Sequence, residues 1–359
     1  MTFKVMLFII VALLIYSALV FYIGWNIRVL MKSFGLKRGK IAFWIIYAFI
    51  AYSIILTRFI SLDFLKMISD YWLFAFSYGL ILCIVCNILS LILRRHYTRI
   101  IGSSAIVILL IAAGVGTYYA YTPVVHYQTI DRLEKANGQQ LKVVVASDTH
   151  LGLLSNKKHL SRFVELANKE KPDVVILAGD LVDDSPKWFN EQQMKDELKK
   201  LQATYGVYAV LGNHEYIGDE LPAVKQAMKN ANVTLLQDQT VTIAGDIALT
   251  GRDDATNKKR ASLQKLQQEV KRGQPWIVID HQPSKTMNDP GVSFMMSGHT
   301  HAGQIWPGKW MTEFIYKLNY GHEKRNGTDY LVTSGYGFWG PPMRIGTQAE
   351  LWSVTLQFK

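Results

Sequence analysis

The first third of the chain contains four long apolar stretches, roughly Phe3 to Trp25, Ile41 to Ile60, Tyr71 to Leu93 and Ile100 to Tyr121. Each approaches the ~20 residues that a helix needs to cross the hydrocarbon core of a bilayer. Half of the 359 residues are hydrophobic, yet the net charge is +11. That combination is unusual for a soluble protein and suits a membrane protein whose basic residues occupy loops. The first stretch is too long for a signal-peptide core and lacks a charged leader and a small-residue cleavage site, so it is expected to stay. Tyr22, Trp25, Trp44, Tyr71, Trp72, Tyr118, Tyr119 and Tyr121 gather near the stretch ends, as an interfacial belt would. The interiors are almost uncharged, which fits an anchor better than a transporter.

Charge suggests an orientation. The first connection carries Arg28, Lys32, Lys37, Arg38 and Lys40, and the third carries Arg94, Arg95 and Arg99; neither has an acid. The second balances Arg58 and Lys66 against Asp63 and Asp70. The positive-inside rule puts the first and third connections in the cytoplasm, against the mild opposition of Lys4. With four spans, the remainder of the chain then faces outward. The two cysteines, Cys83 and Cys86, lie in an apolar stretch. Without polar partners or further ligands there, they read as inert packing.

The expected organisation is a four-helix anchor at 1–122, a polar linker at 123–140 and an α/β domain at 141–359. From Leu141 onward, short β-branched runs alternate with helical patterns at 156–170 and 190–204. Five of those runs, "LKVVVAS", "PDVVILAG", "GVYAVLG", "PWIVID" and "GVSFMMSG", read as buried strands. At or just past their ends stand Asp148 and His150, then Asp180, then Asn213 and His214, then His281, then His299 and His301. Five of the nine histidines fall in these clusters, so the pattern is not diffuse. Side chains beyond the carboxyl ends of strands in an open α/β sheet converge on one crevice. Oxygen and imidazole donors without thiolate suit Mn, Fe or Zn in a reactive site. A carboxylate such as Asp180 can offer one oxygen to each of two cations, and a two-metal site suits phosphoryl displacement.

The ordered set D-x-H, G-D-x-x-D, G-N-H-E, H and G-H-x-H resembles the signature of the calcineurin-like metallophosphoesterases, from Leu141 to the end of the chain. The resemblance implies an αββα sandwich of two mixed sheets attached to the multi-pass α-helical membrane anchor. It further implies two divalent cations, with Mn the first candidate and Fe or Zn the others. Asp148, His150 and His301 would hold one, Asn213, His281 and His299 the second, and Asp180 would bridge them. His214 would serve the phosphoryl group or protonate the leaving oxygen, oriented by Asp183. Gly179, Gly212 and Gly298 would let the backbone turn sharply toward the cations.

The "GHTHAGQ" turn and the later "SGYGFWGPPMRIGTQAELWSV" resemble the branch of membrane-anchored bacterial phosphoesterases and transmembrane proteins with a metallophosphoesterase domain. That branch usually has Gly where Ala302 stands. The expected activity is hydrolysis of a phosphate ester, extracytoplasmic by the charge argument. The aromatics of "WPGKWMTEFIYKLNYG" make a lipid-linked ester one substrate class, and plain packing of a cover helix would explain them equally well. A UDP-2,3-diacylglucosamine-type pyrophosphatase of glycolipid metabolism is an alternative, at odds with the outward orientation. A catalytically silent scaffold or receptor would be expected to lack a ligand, and none is missing. The expected partners are the bilayer and a phosphoester; nucleic acid is not expected, because much of the basic charge belongs to the anchor loops.

Overall fold

The computed structural model describes residues 3–60, 62–93, 98–133 and 139–358. It divides into two compact units, Met1–Gly114 and Val115–Lys359.

The N-terminal unit is helical: α1 (Phe3–Ser33), α2 (Lys40–Ala51), α3 (Ser53–Leu56), α4 (Asp63–Ile92) and the start of α5 (Thr98–Tyr121). Among the described residues, α1, α4 and α5 are each long and apolar enough to cross a membrane. The second apolar stretch differs from expectation: it is a helix interrupted at Tyr52. There the Ile55 amide turns to the Tyr52 carbonyl at 3.0 Å. The Ala51 carbonyl accepts the Tyr16 hydroxyl at 2.5 Å, and Trp72 Nε1 donates to that hydroxyl at 2.7 Å. Where no water is at hand, such side-chain partners are what make a broken helix tolerable. Arg94 and Arg95 of the third connection lie outside the described residues.

Among its described residues, the second unit has twelve strands. In chain order they are β1 (Val124–Leu133), β2 (Gln140–Ala146), β3 (Val174–Ala178), β4 (Val207–Val210), β5 (Thr234–Leu235) and β6 (Gln239–Ile243). Then follow β7 (Ile247–Gly251), β8 (Trp276–Ile279), β9 (Phe294–Ser297), β10 (Gly321–Arg325), β11 (Thr328–Val332) and β12 (Glu350–Phe358). One sheet runs β1-β12-β2-β3-β4-β5 and the other β10-β11-β9-β8-β7-β6. Within them β2, β3, β4 and β5 are mutually parallel, as are β7, β8, β9 and β11. Antiparallel pairings at β12 and at both ends of the second sheet make the two sheets mixed.

Strand alternation explains the layering, because successive side chains point to opposite faces. Val143 and Val145 of β2 meet Ile277, Ile279 and Met296 of the other sheet in one buried cluster. Val144 and Ala146 face outward against Leu160, Phe163 and Val164 of α6 (Lys157–Lys169). The outer face of the second sheet, with Trp276, Val278 and Met295, is covered by Leu266 and Met287. The result is the expected αββα sandwich. The remaining helices are α7 (Lys187–Glu191), α8 (Met194–Leu198), α9 (Asn213–Ile217), α10 (Leu221–Asn230), α11 (Leu263–Gln267) and α12 (Gly308–Ile315).

Two local expectations are corrected. The segment read as a linker is largely strand β1, paired in parallel with β12 from Val124↔Glu350 onward; its residues 134–138 lie outside the described residues. His126 Nε2 reaches Glu350 Oε2 at 3.2 Å, and buried Glu350 also accepts from Ser334 N and Trp352 Nε1. The helix read over 190–204 is instead α7 and α8. They are separated where Gln193 turns left-handed and Gln192 bonds to the Lys157 amide and the Gly152 carbonyl.

Candidate metal centre

Asp148 and His150 follow β2, Asp180 follows β3, Asn213 and His214 open α9 after β4, His281 follows β8, and His299 and His301 follow β9. These five strand ends come from both sheets and bring their side chains together. Ligand atoms of Asp148, His150 and His301 all lie within 4.8 Å of one another, as do those of Asp180, His281 and His299. The His281 Nε2 is 3.1 Å from Asp180 Oδ2 and 3.2 Å from Asn213 Oδ1, which draws Asn213 into the second group.

The backbone is bent to achieve this. Asp148, His150, Asp180, His299, His301 and Ala302 all have left-handed φ, between 41° and 69°. Such conformations are unfavourable for side chains other than Gly and cluster where function demands them. At Ala302, φ is 47°, so the departure from the resembling branch leaves a strained alanine in an intact turn. Gly212 and Gly298 serve close approach: a Cβ would collide with Asp180 Oδ1 at the first and with Asp148 Oδ2 at the second.

The donor chemistry fits cations. His281 Nδ1 lies 2.8 Å from the Ala178 carbonyl and must donate to it. In the neutral ring, Nε2 then presents a lone pair to the oxygens of Asp180 and Asn213. His150 Nε2 and His301 Nε2 face one another at 3.2 Å, His301 Nε2 is 3.3 Å from Asp148 Oδ1, and the Nδ1 atoms of both rings are buried without a partner. Imidazole and carboxylate ligand atoms crowded together in a buried space are stable around a cation.

Protons and cations compete for these donor atoms. Burial pushes the Asp148 carboxyl up to about 6, and depresses His150 to about 3 and His299 to about 4. Burial also opposes charge on His281, but the Asp180 and Asp148 carboxylates hold it well above the ordinary histidine value.

His214 projects beside this cluster, its ring centroid 4.7 Å from that of His150. Its amide donates to Asp180 Oδ1 at 2.9 Å. The carboxylate on its Nδ1 is Asp184, at 2.6 Å, whereas the family resemblance implied Asp183. The reason lies in the backbone: Asp184 adopts φ 61° and carries its carboxylate to the ring. Asp183 stays nearby, with a carboxylate oxygen within 4.8 Å of ligand atoms of His150 and His214. Burial works against charge on His214, yet the Asp184 hydrogen bond and the charges of Asp180 and Asp183 raise its pKa to about 9.

Sequence reasoning overlooked three supporting residues. Glu215, within the recognised "GNHE", is fully buried. It accepts from the amides of Leu181 and Val182 through Oε1 and of Gly212 through Oε2, at 2.7–3.1 Å, and so ties the Asp180 turn to the Asn213 turn. Asp280 is held by Arg252 at 2.6 Å and Arg260 at 2.9 Å, and fixes the strand end that presents His281. The buried Arg344 guanidinium donates to the carbonyls of Ser334, Gly335 and Gly337. That loop backs Asp148, whose carbonyl accepts from the Gly337 amide at 2.8 Å. Only the Glu carried a sequence signal.

Replacing Glu215 by Ala would strand three buried amides, each worth about 1 kcal/mol or more. The expected loss is on the order of 3 kcal/mol, with reduced metal retention, read from the denaturant midpoint and metal content of the purified chain. An unchanged midpoint would refute the bracing role.

Comparison with known proteins identifies the family. Residues 141–303 match the model of the calcineurin-like phosphoesterase family. An uncharacterized metallophosphoesterase of Campylobacter jejuni is 30% identical over 235 residues, 62% of this chain and 60% of that protein. A transmembrane protein with metallophosphoesterase domain from Bos taurus is 30% identical over 240 residues, 60% of this chain and 53% of that protein. The chain thus spans about 60% or less of the length of these two relatives. An uncharacterized metallophosphoesterase of Aquifex aeolicus is 30% identical over 240 residues, 64% of this chain and 90% of that protein. On this coverage and the assembled motif, the chain belongs to the calcineurin-like metallophosphoesterase family.

Proposed function

We propose that the protein is a membrane-anchored, dinuclear-metal phosphoesterase. The observation that carries this reading is the largely buried convergence of Asp148, His150, Asp180, Asn213, His281, His299 and His301, with imidazole, amide and carboxylate ligand atoms turned toward one another. Asp148, His150 and His301 would hold one divalent cation and Asn213, His281 and His299 a second, with Asp180 placed to serve both. An all-N/O donor set favours Mn, with Fe or Zn as alternatives. When bound, such a pair offsets the charge of a phosphoryl group and makes water a competent nucleophile near neutral pH.

The protein's own acid is His214. With Nδ1 engaged by Asp184, its Nε2 is free to donate toward a phosphoryl oxygen or to protonate the leaving oxygen. His214→Ala should keep both cations while hydrolysis falls ~10²–10⁴-fold. The drop should shrink for esters with very good leaving groups, which need little protonation. An equal loss across leaving groups of widely different pKa would reduce His214 to a positioning role.

Orientation follows from charge and parity. Together α2 and α3 make roughly 25 Å of helix at about 1.5 Å per residue. That is somewhat short of the ~30 Å core, a mismatch that membranes accommodate. Counting them as one broken span keeps both basic connections in the cytoplasm and the metal site outside. If α2 and α3 instead re-enter without crossing, the site faces the cytoplasm, but Arg94, Arg95 and Arg99 then lie outside, against the positive-inside rule. That cytoplasmic arrangement is the one a UDP-glycolipid pyrophosphatase requires.

Alkaline phosphatase fused after Lys359 should be active in cells, and a fluorescent protein that folds only in the cytoplasm should stay dark. The reverse pattern would reject the outward site and promote the pyrophosphatase reading.

A further inference from the structure

The helix α12 follows the His299–His301 turn and carries an apolar face that the protein leaves uncovered. Trp310 is 63% exposed, Met311 63%, Phe314 92% and Ile315 56%. Their spacing, i, i+1, i+4 and i+5, puts them on one side of the helix. Thr312, on the opposite side, is buried and takes a hydrogen bond from Asn319. Trp306 extends the face, its ring 5.4 Å from that of Trp310. A cover helix packed on a sheet edge would bury these side chains, so packing does not account for them. A contiguous exposed apolar patch on a folded unit marks a surface that meets something else.

The structure also indicates what that is. The last turns of α5, the apolar helix that ends at Tyr121, are bonded to residues 344–349: Arg344 N donates to the Gly116 carbonyl at 2.9 Å and Ala349 N to the Tyr119 carbonyl at 3.0 Å. Within that segment, the Ile345 carbonyl accepts from Trp306 N at 2.9 Å. The entry to α12 is therefore one hydrogen bond removed from the segment that clasps the end of a membrane-length helix. Val115 and Tyr118 on those same turns are exposed.

The face also adjoins the metal centre. The Tyr316 ring, just after α12, is 6.0 Å from that of His299. On the other side, the half-exposed Trp339 ring is 6.1 Å from that of His214, and Trp339 is pinned to Gln304 by two hydrogen bonds of 2.9 Å.

We propose that α12 with Trp306 is a membrane-insertion element, which seats the mouth of the metal site on the lipid–water interface and selects phosphoesters borne by membrane lipids. Aromatic and aliphatic side chains on one face of a short helix are suited to that boundary. The proposal rests on the reading of the site as a phosphoesterase and of the apolar helices as a membrane anchor; its first test is independent of activity.

A single cysteine in place of Phe314, in full-length protein with Cys83→Ala and Cys86→Ala, would be labelled with an environment-sensitive NBD dye. A second preparation would carry the label at Lys229, on α10. After reconstitution into phosphatidylcholine vesicles containing doxyl-labelled lipid, the label at 314 should be quenched several-fold more than that at 229. Equal quenching would overturn insertion and leave the face to a protein partner or a second copy.

In the second test, Trp310→Glu with Phe314→Glu should lower hydrolysis of a vesicle-embedded phospholipid ester at least tenfold, with hydrolysis of a soluble nitrophenyl ester within twofold of wild type. A parallel fall on both substrates would overturn the lipid-selection claim. Quenching at 314 without hydrolysis of any phosphoester would sink the catalytic reading and leave insertion standing.

Discussion

The interaction on which the site depends is a conflict. Two carboxylates, an amide oxygen and four imidazoles are brought into a buried space where several of their acceptor atoms face one another. His281 Nε2 meets Asp180 and Asn213, and His150 Nε2 meets His301 Nε2. A proton on His281 or Asp148 would ease part of it, in line with the raised values of both groups; divalent cations would ease all of it. The left-handed backbone at Asp148, His150, Asp180, His299 and His301 is strain held in place by the surrounding fold. Glu215 and Arg344 are part of that hold, one collecting amides and the other carbonyls.

The architecture follows from what this convergence needs. Two parallel blocks, β2–β4 and β8–β9, present their carboxyl ends on one edge of the sandwich, and the alternation of valines and isoleucines locks each strand between the other sheet and its helices. The chain beyond the last ligand closes the unit: β12 inserts between β1 and β2, and residues 334–337 back Asp148.

Much of this was legible in the sequence, because each strand is short, β-branched and followed at once by its functional residues. What was not legible depends on distant or directional facts. β1 reads as a polar tether because its partner, β12, lies more than two hundred residues away in the chain. A resemblance transfers roles by motif position and not by side-chain direction, so it named Asp183 where the left-handed Asp184 takes the His214 bond. Hydropathy averaged over Ile41 to Ile60 misses a break at Tyr52 that rests on hydrogen bonds from other helices. The aromatics after His301 look the same whether packed or exposed, and only the fold reveals Phe314 to be uncovered.

The central claim is that two cations share Asp180. Electron paramagnetic resonance of the Mn²⁺-loaded, full-length protein, combined with metal analysis, tests it most directly. The account predicts two ions per chain and the spectrum of an exchange-coupled pair joined by a bridging carboxylate. One ion per chain with the six-line signal of an isolated Mn²⁺ would contradict it.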